Sequence, residues 1–400
     1  MQKKLLVLAI AGFATAPAYA QWTMMNVQSP TPGVNIFGIL DQALETGNWG
    51  DGSVSRMTGS GYSTQRFGVR GNEDLGGGAR ANFWLEASLG PDVGTGGAGV
   101  TTPSAAASTK TTGTTFQQWD RAATIGLSWA GAGAFNLGRQ YTPWFSAWNR
   151  SDAFRVAGVG SSYALQLQNT RMNNSLRWDS PQWGGFQIVL GYAIADQGAA
   201  YGYTESIGGN CDGSTAARTC PNATTGLNVN QKNSGRQGGG ALLFDMGPWM
   251  GSFGYARINS VAAMGAAAPV VTTQWSLNGA YDFGVAKVLV NYSRWNNDTN
   301  PKTVDNSEWS LQGRFPFGPH AVIVGYEALH NKTTSSADAK HISLQYAYSM
   351  SKRTTLYATY ARMSNDDKAT FSLLSGPSLT NNAAVGFDPS AFQFGVNHTF

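Results

Sequence analysis

The last ten residues of the chain, "AFQFGVNHTF" (residues 391–400), alternate between two kinds of side chain. Every second position carries an apolar group or a ring, namely Phe392, Phe394, Val396, His398 and Phe400. The positions between them are small or polar, namely Gln393, Gly395, Asn397 and Thr399. Because successive side chains of a β-strand point to opposite faces, the stretch predicts a strand with one apolar and one polar face.

The same alternation recurs upstream from residue 34 and is strongest in the second half of the chain. The apolar series are Trp275, Leu277, Gly279 and Tyr281; Val288, Val290 and Tyr292; Trp309, Leu311 and Phe315; Val322, Val324 and Tyr326; Ile342, Leu344, Tyr346 and Tyr348; and Leu356, Ala358 and Tyr360. Aromatic residues gather near the strand ends, as in the aromatic girdles of membrane barrels. We therefore predict a meander of antiparallel hairpins.

The connections between these strands alternate between short and long. The seven short ones are "NEDLGGG", "AGAG", "PQWGG", "MGPW", "DFG", "PFGP" and "SKR". The eight long ones span residues 47–61, 90–117, 140–171, 196–236, 261–271, 298–305, 332–338 and 364–389. Outer-membrane barrels have an even number of strands, short turns at one rim and long loops at the other. The predicted fold class is all-β: a transmembrane antiparallel β-barrel of 16 strands with short periplasmic turns and long extracellular loops.

The first short connection lies in "GNEDLGGG" (residues 71–78), whose glycine spacing resembles a phosphate-binding loop. A P-loop ends in Gly-Lys-Ser/Thr, so that a lysine and a hydroxyl reach the phosphates. Here Gly76 is followed by two more glycines, and Glu73 and Asp74 would repel a phosphate. We predict a periplasmic turn in which the glycines permit positive φ.

The composition favours a membrane barrel over other all-β folds. Charged residues make up 12% of the chain, about half the share of an ordinary soluble domain. The chain also carries 19 Phe, 15 Tyr and 13 Trp, far more apolar surface than a disordered chain has. A soluble β-sandwich or β-helix is the alternative. It is less consistent with such a low charge content.

The N-terminal segment "MQKKLLVLAIAGFATAPAYA" has two lysines, an apolar run and the small-residue site Ala18-Tyr19-Ala20. We predict that residues 1–20 are a secretory signal peptide and that residues 21–400 form a single barrel domain. The apolar run is shorter than a membrane-spanning helix requires. Removal of the peptide leaves 25 basic and 23 acidic residues. Such a balance gives no reason to expect a nucleic-acid partner.

The two cysteines, Cys211 and Cys220, lie in a segment rich in Gly, Asn and Thr, a composition that predicts a loop. In an exported protein a disulfide between them is expected. No histidine lies nearby to complete a metal site, and we predict neither a metal nor another cofactor.

Four segments resemble a known family. They are "STQRFGVRGNEDLGGGARANFWLEASL", "LGRQYTPW", "NSLRWDSPQWGGFQIVLGYA" and "FQFGVNHTF", and they are similar to the general-diffusion porins of Gram-negative bacteria, in the β-proteobacterial and Neisseria-like branch. The resemblance covers about Val34 to Phe400. It implies a homotrimer in the outer membrane, in contact with lipid and lipopolysaccharide, and a terminal Phe400 that acts in the assembly signal. It also implies that residues 140–171 form a constriction loop inside the barrel.

The resemblance has two departures. The stretch "QWTMMNVQSPTPG" before the first strand is longer than the family pattern, and so is the loop that holds the cysteines. Both leave the expected fold intact and put the loop contacts and the shape of the pore mouth in doubt.

Strand parity selects candidate residues for the pore wall. If Phe67 and Val69 face lipid, Arg66 and Arg70 face the lumen. The same argument places Arg80, Glu86 and Arg177 inside. Arg139 conflicts with simple alternation, because Phe135 and Leu137 would place it on the lipid side. The resemblance favours a lumen position, and a β-bulge would reconcile the two.

Within the expected constriction loop, Arg150, Arg155 and Arg171 outnumber the lone carboxylate Asp152. We therefore predict anion preference or weak selectivity for small hydrophilic solutes. The alternative for each arginine is a solvated strand end or a salt bridge. The loop aromatics Trp144, Phe145 and Trp148 either pack the loop against the wall or form a surface for sugar stacking.

The predicted function is passive diffusion of small hydrophilic solutes and ions through an outer-membrane porin. The alternatives are a substrate-specific porin and an adhesin or receptor that uses its long loops. We expect no enzyme, because none of the four histidines, His320, His330, His341 and His398, lies beside a recognisable nucleophile motif.

Overall fold

A computed structural model describes residues 33–50, 52–92, 94–96, 119–194, 235–260, 270–374 and 383–400. The predicted signal peptide (residues 1–20) and the predicted disulfide (Cys211 and Cys220) lie outside the described residues. Both stay predictions.

The described residues form one antiparallel sheet of eighteen segments. The segments are β1 (Gly33–Asn48), β2 (Ser53–Gly59), β3 (Arg66–Gly76), β4 (Ala79–Gly90), β5 (Thr95–Gly96), β6 (Ala122–Trp129), β7 (Gly133–Tyr141), β8 (Arg171–Asp179), β9 (Phe186–Ala193), β10 (Gln237–Met246), β11 (Trp249–Asn259), β12 (Val271–Asp282), β13 (Lys287–Asn297), β14 (Asp305–Phe317), β15 (His320–Asn331), β16 (Ala339–Ser349), β17 (Thr354–Asn365) and β18 (Ser390–Thr399). Because β2 and β3 both pair with β1, they are two parts of one wall strand. β5 pairs only with the end of β4. The wall therefore has sixteen strands.

The sheet closes on itself through its first and last strands. β1 pairs with β18 in a register that runs from Ile39 opposite Thr399 to Asn48 opposite Ser390. Phe400 and Gly38 continue this ladder by exchanging two main-chain hydrogen bonds of 3.1 Å. The predicted 16-strand transmembrane barrel is confirmed.

The ends of the described strands fall close to the predicted connections, except that β3 runs to Gly76 within the first short connection and β5 lies within the predicted loop 90–117. The first turn uses Gly77 and Gly78, whose φ angles are +60° and +79°. The predicted loop 47–61 is wrong in part, because it contains β2. Met57 on β2 points outward beside Leu44 of β1, and the strand is long enough to pair with β1.

The outer surface of the wall is apolar. Leu277 in the middle of β12 is 59% exposed. Phe253 and Tyr292, which lie directly opposite it on the two neighbouring strands, are also exposed. The side chains between them point inward, and most are polar and buried. This division is the lipid-facing and lumen-facing pattern of a membrane barrel. Among the described residues, no helix has the length and apolar character that a bilayer crossing requires.

Candidate functional site

The connection between β7 and β8 turns into the barrel, and we call residues 142–170 the inner loop. It begins with the short helix α1 (Pro143–Trp148). Thr142 caps this helix by accepting a hydrogen bond from the Phe145 N–H (3.1 Å), and Pro143 occupies the first turn, where its missing N–H costs nothing. Thr142 also donates to the carbonyl of Asn169 at 2.8 Å, which holds the two ends of the loop together.

The loop aromatics are packed against the wall. Trp144 and Trp148 stack with ring centroids 5.8 Å apart, and Phe145 stacks on Tyr141 of β7 at 5.4 Å. Trp144, Phe145 and Trp148 are all buried. They present no free ring face to a passing sugar, so packing is the role that their geometry supports.

Beyond α1 the inner loop crosses the lumen and contacts one wall strand after another. Arg150 pairs with Asp245 of β10, and the Ser151 hydroxyl donates to Asn278 of β12 at 3.1 Å. The Ala153 N–H donates to Gln312 of β14 at 2.6 Å. Val159 uses both main-chain groups: its carbonyl is 3.0 Å from His341 Nε2, and its N–H donates to Gln393 at 3.3 Å.

A glycine in the wall permits the close approach of α1. Gly254 of β11 faces inward, and a Cβ added there would lie 3.0 Å from the Trp144 carbonyl oxygen and 3.1 Å from its Cα. The same change at Gly279, a lipid-facing glycine of β12, would make ordinary contacts with Val290 Cγ2 at 3.5 Å and the Met250 carbonyl oxygen at 3.8 Å.

Gly254→Ala is therefore expected to displace α1, to lower the free energy of unfolding by about 1–3 kcal/mol, and to change the single-channel conductance. Urea unfolding in lipid vesicles and planar-bilayer recording measure the two effects. Gly279→Ala is the matched control and is expected to leave both unchanged. Identical behaviour of the two variants would contradict the packing that we describe.

Asp152 organises the middle of the inner loop. Its carboxylate accepts hydrogen bonds from the N–H groups of Phe154 (3.1 Å) and Val156 (2.8 Å) and from the Ser161 hydroxyl (2.5 Å). Burial raises the pKa of this carboxyl above its ordinary value, and the hydrogen bonds oppose the shift. The carboxylate is turned into the loop and is not exposed to the lumen water.

The wall at the base of the inner loop carries an ion-paired cluster around Glu86, beside Tyr141. The Arg121 Nε donates to Glu86 at 2.5 Å, and an Arg66 nitrogen lies 3.7 Å from the same oxygen. Arg121 also donates to the Tyr141 hydroxyl at 2.9 Å. The Arg171 guanidinium lies 4.9 Å above the Tyr141 ring. One carboxylate thus offsets part of the charge of three arginines.

Two other predicted arginines also face acidic partners. Arg177 forms a two-point ion pair with Asp179 (2.6 and 2.8 Å) and donates to Ser146 of α1 at 2.9 Å. Arg80 lies directly opposite Asp74 across the first turn.

Arg139 lies at a register shift of β7, between Gly138 and Gln140. The residue is directly opposite Ala123 of β6. Its guanidinium donates to the Asp120 carbonyl at 2.5 Å and to the Asn173 side chain. It thereby ties together the chain segments at the base of the inner loop.

Three further inward-facing arginines are partly exposed and form no ion pair with a described carboxylate. They are Arg70, Arg155 and Arg314. Arg70 lies opposite Asn35, and its guanidinium is 5.2 Å above the Phe37 ring. Arg155 donates to the Tyr62 hydroxyl at 2.7 Å, and Arg314 interacts electrostatically with the same tyrosine.

The inward-facing carboxylates Glu45, Glu308 and Glu327, in contrast, are buried and have hydrogen-bond or ion-pair partners. Glu45 accepts from Arg56 and Gln393, both at 2.7 Å. Glu327 lies 2.6 Å from the His341 ring, and Glu308 accepts from Gln166 at 2.5 Å. The water-accessible charges deep in the lumen are therefore weighted towards arginine.

Sequence reasoning missed Arg121, Arg314 and Tyr62. The parity of β14 would have found Arg314, because Trp309 and Leu311 fix the lipid-facing positions. Arg121 precedes β6, and Tyr62 directly follows the predicted loop 47–61, so neither lies in a stretch of regular alternation. In the part of the chain that the structure describes, no three His, Cys, Asp or Glu side chains converge in the manner of metal ligands.

A closed sixteen-strand wall with an apolar exterior and a loop crossing its interior agrees with what comparison of the sequence finds. The family model for Gram-negative porins matches residues 6–368. The chain belongs to the Gram-negative porin family. This porin is thus an outer-membrane protein that forms a water-filled channel for passive diffusion.

Individual relatives support the same conclusion. Outer membrane porin protein 32 of Delftia acidovorans is 28% identical over 413 residues, covering 100% of both chains. The structure described as an anion-selective porin from Comamonas acidovorans superposes with a TM-score of 0.72 at 26% identity, over 92% of this chain and 99% of that one. OmpT of Vibrio cholerae in its trimer form gives a TM-score of 0.60 at 14% identity, over 92% and 99% of the two chains, and shares the fold.

Proposed function

We propose that this porin is an anion-preferring general-diffusion channel for small hydrophilic solutes. The observation that carries the proposal is a group of three partly exposed lumen arginines that form no ion pair with any carboxylate the structure describes, Arg70, Arg155 and Arg314. The similar structure from Comamonas acidovorans is described as anion-selective, which supports the same direction.

The selectivity arises from electrostatics and not from a specific binding pocket. A barrel of this size is too wide for its side chains to fill, so water remains in the lumen. The low-dielectric wall focuses the field of the arginines into that water. A hydrated anion is attracted to the narrow zone and a cation is repelled, and both move down their gradients without energy input.

The other predicted pore residues act in this proposal mainly by holding the narrow zone in place. Arg66 and Arg177 are paired with carboxylates, Arg139 braces the base of the inner loop, and Asp152 shapes its middle. Arg80 contributes at the periplasmic end. We infer that the inner loop is the constriction and that Phe400 serves as part of the assembly signal.

The proposed assembly is a homotrimer surrounded by outer-membrane lipid and lipopolysaccharide, and the proposed activity is diffusion without catalysis. A planar bilayer under a KCl gradient tests the central claim. Current steps in groups of three with a reversal potential that favours chloride are expected. A reversal potential that favours potassium, measured on folded protein, would contradict the proposed anion preference but not the barrel fold.

A further inference from the structure

The wall strand formed by β2 and β3 is interrupted in its middle. β2 ends at Gly59, opposite Gln42, and β3 begins at Arg66, opposite Ile39. Six residues, 60–65, therefore stand against only two residues of β1. All but Thr64 are buried, and we call this segment the inward bend.

The inward bend meets the inner loop directly. The Thr64 hydroxyl donates to the Val156 carbonyl at 3.1 Å. A Cβ on Gly158 would overlap the main chain of Gly61, so the two segments approach as closely as their backbones allow. The bend thus occupies lumen cross-section beside the part of the inner loop that holds Val156 and Gly158.

Asp41 of β1 holds the bend in this position. Its carboxylate accepts from the N–H groups of Gly61 (3.1 Å), Tyr62 (3.0 Å) and Ser63 (2.8 Å). It also accepts from the Tyr357 hydroxyl (2.6 Å) and the Asn397 amide (3.0 Å). It is fully buried, and no described cation pairs with it. A buried carboxylate that is compensated only by hydrogen bonds fixes the geometry of its donors, because each lost bond leaves charge uncompensated.

The bend places one side chain, Tyr62, beside Arg155 and Arg314, two of the three lumen arginines to which we attribute the anion preference. The Tyr62 ring stacks on Tyr357 with centroids 5.5 Å apart, which limits its rotation. The Arg155 guanidinium lies 3.8 Å from the ring centre and also donates to the hydroxyl. Arg314 of β14 interacts electrostatically with the same tyrosine. Two like charges that repel each other therefore lie beside one neutral tyrosine.

We propose that the inward bend is a second narrowing element of the pore and that Asp41 is a positioning residue for selectivity, acting through Tyr62 on Arg155 and Arg314. The proposal rests on the anion preference proposed above. If the Tyr62 hydroxyl is removed, the two arginines separate by repulsion and leave the path of the ion. If Asp41 loses its charge, the bend relaxes and takes Tyr62 with it.

The test compares single-channel conductance and reversal potential, under a KCl gradient, for wild type, Tyr62→Phe, Asp41→Asn and the double variant. Tyr346→Phe is the matched control, because it removes a hydroxyl that bonds to His320 on the lipid face. Only protein that runs as the folded species on unheated gels is recorded. Tyr62→Phe keeps every bond to Asp41, so it decides the question even if Asp41→Asn does not fold.

We expect Tyr62→Phe to lower the chloride-to-potassium permeability ratio by roughly two- to fivefold, with Tyr346→Phe unchanged. We expect Asp41→Asn to lower the ratio at least as far and to raise the conductance. Loss of a negative charge alone would raise the ratio, so a fall identifies positioning. The double variant is expected to match Asp41→Asn.

Two results would overturn the inference: a Tyr62→Phe channel equal to wild type in both quantities, or a double variant whose effects multiply. A potassium-favouring wild type is a different failure, since it removes the proposed anion preference. The shifts of the variants relative to that wild type would still decide whether Tyr62 and Asp41 position the arginines.

Discussion

Replacement of both Arg155 and Arg314 by glutamate is expected to turn the chloride preference of the channel into a potassium preference. The two side chains are the partly exposed cations at the meeting point of inner loop and wall. A unit charge 4 Å from a passing ion is worth about 1 kcal/mol even at the dielectric constant of bulk water, and about 1.4 kcal/mol is a tenfold change. Because each replacement changes the charge by two units, the permeability ratio is expected to change by well over tenfold.

The measurement is the reversal potential under a KCl gradient, and the neutral pair Arg155→Gln with Arg314→Gln is expected to give an intermediate value. Arg257→Glu is the control. Arg257 is an exposed arginine near the long-loop end of β11, on the outward face that carries Phe253 and Tyr255, so the same charge change lies outside the lumen. A folded glutamate pair that still prefers chloride would assign the selectivity to other charges.

A single arginine in the middle of the outer wall is expected to cost about 2–4 kcal/mol of unfolding free energy. The position is Leu277, which lies midway along β12 between Phe253 and Tyr292 and is 59% exposed. In a bilayer this exposed surface faces hydrocarbon, so Leu277→Arg places a charge where no water solvates it. Urea titration in lipid vesicles, followed by tryptophan fluorescence, measures the loss.

Val285 provides the depth control. It is 77% exposed in the short turn between β12 and β13, where headgroups and water reach it. Val285→Arg is expected to cost no more than about 1 kcal/mol. Equal costs at the two positions would show that Leu277 does not lie in the hydrocarbon region.

The candidate site was only partly accessible to sequence reasoning. Strand parity identified Arg70 because Phe67 and Val69, which precede it in a regular strand, mark the lipid-facing positions. It gave no information on which arginines are paired: Arg66 and Glu86 are on different strands, and Arg177 meets Asp179 through a local two-residue spacing that periodicity does not weigh. Arg139 does not follow the alternation of β7, because the register between β7 and β8 shifts at this residue. Such a shift depends on how the neighbouring strand pairs.

The sequence by itself determined the barrel: the strands, their turns, the outward face and the strand number. The reason is that a two-residue period and glycine-containing turns are local properties, and a lipid exterior enforces them along the whole chain. Only the tertiary structure decided which charged side chains are exposed to the water of the lumen. Tyr62 and Arg155 are 93 positions apart, and Asp41 and Asn397 are 356 apart. Such contacts exist only once the wall has closed and the loop has crossed it, so no local pattern encodes them.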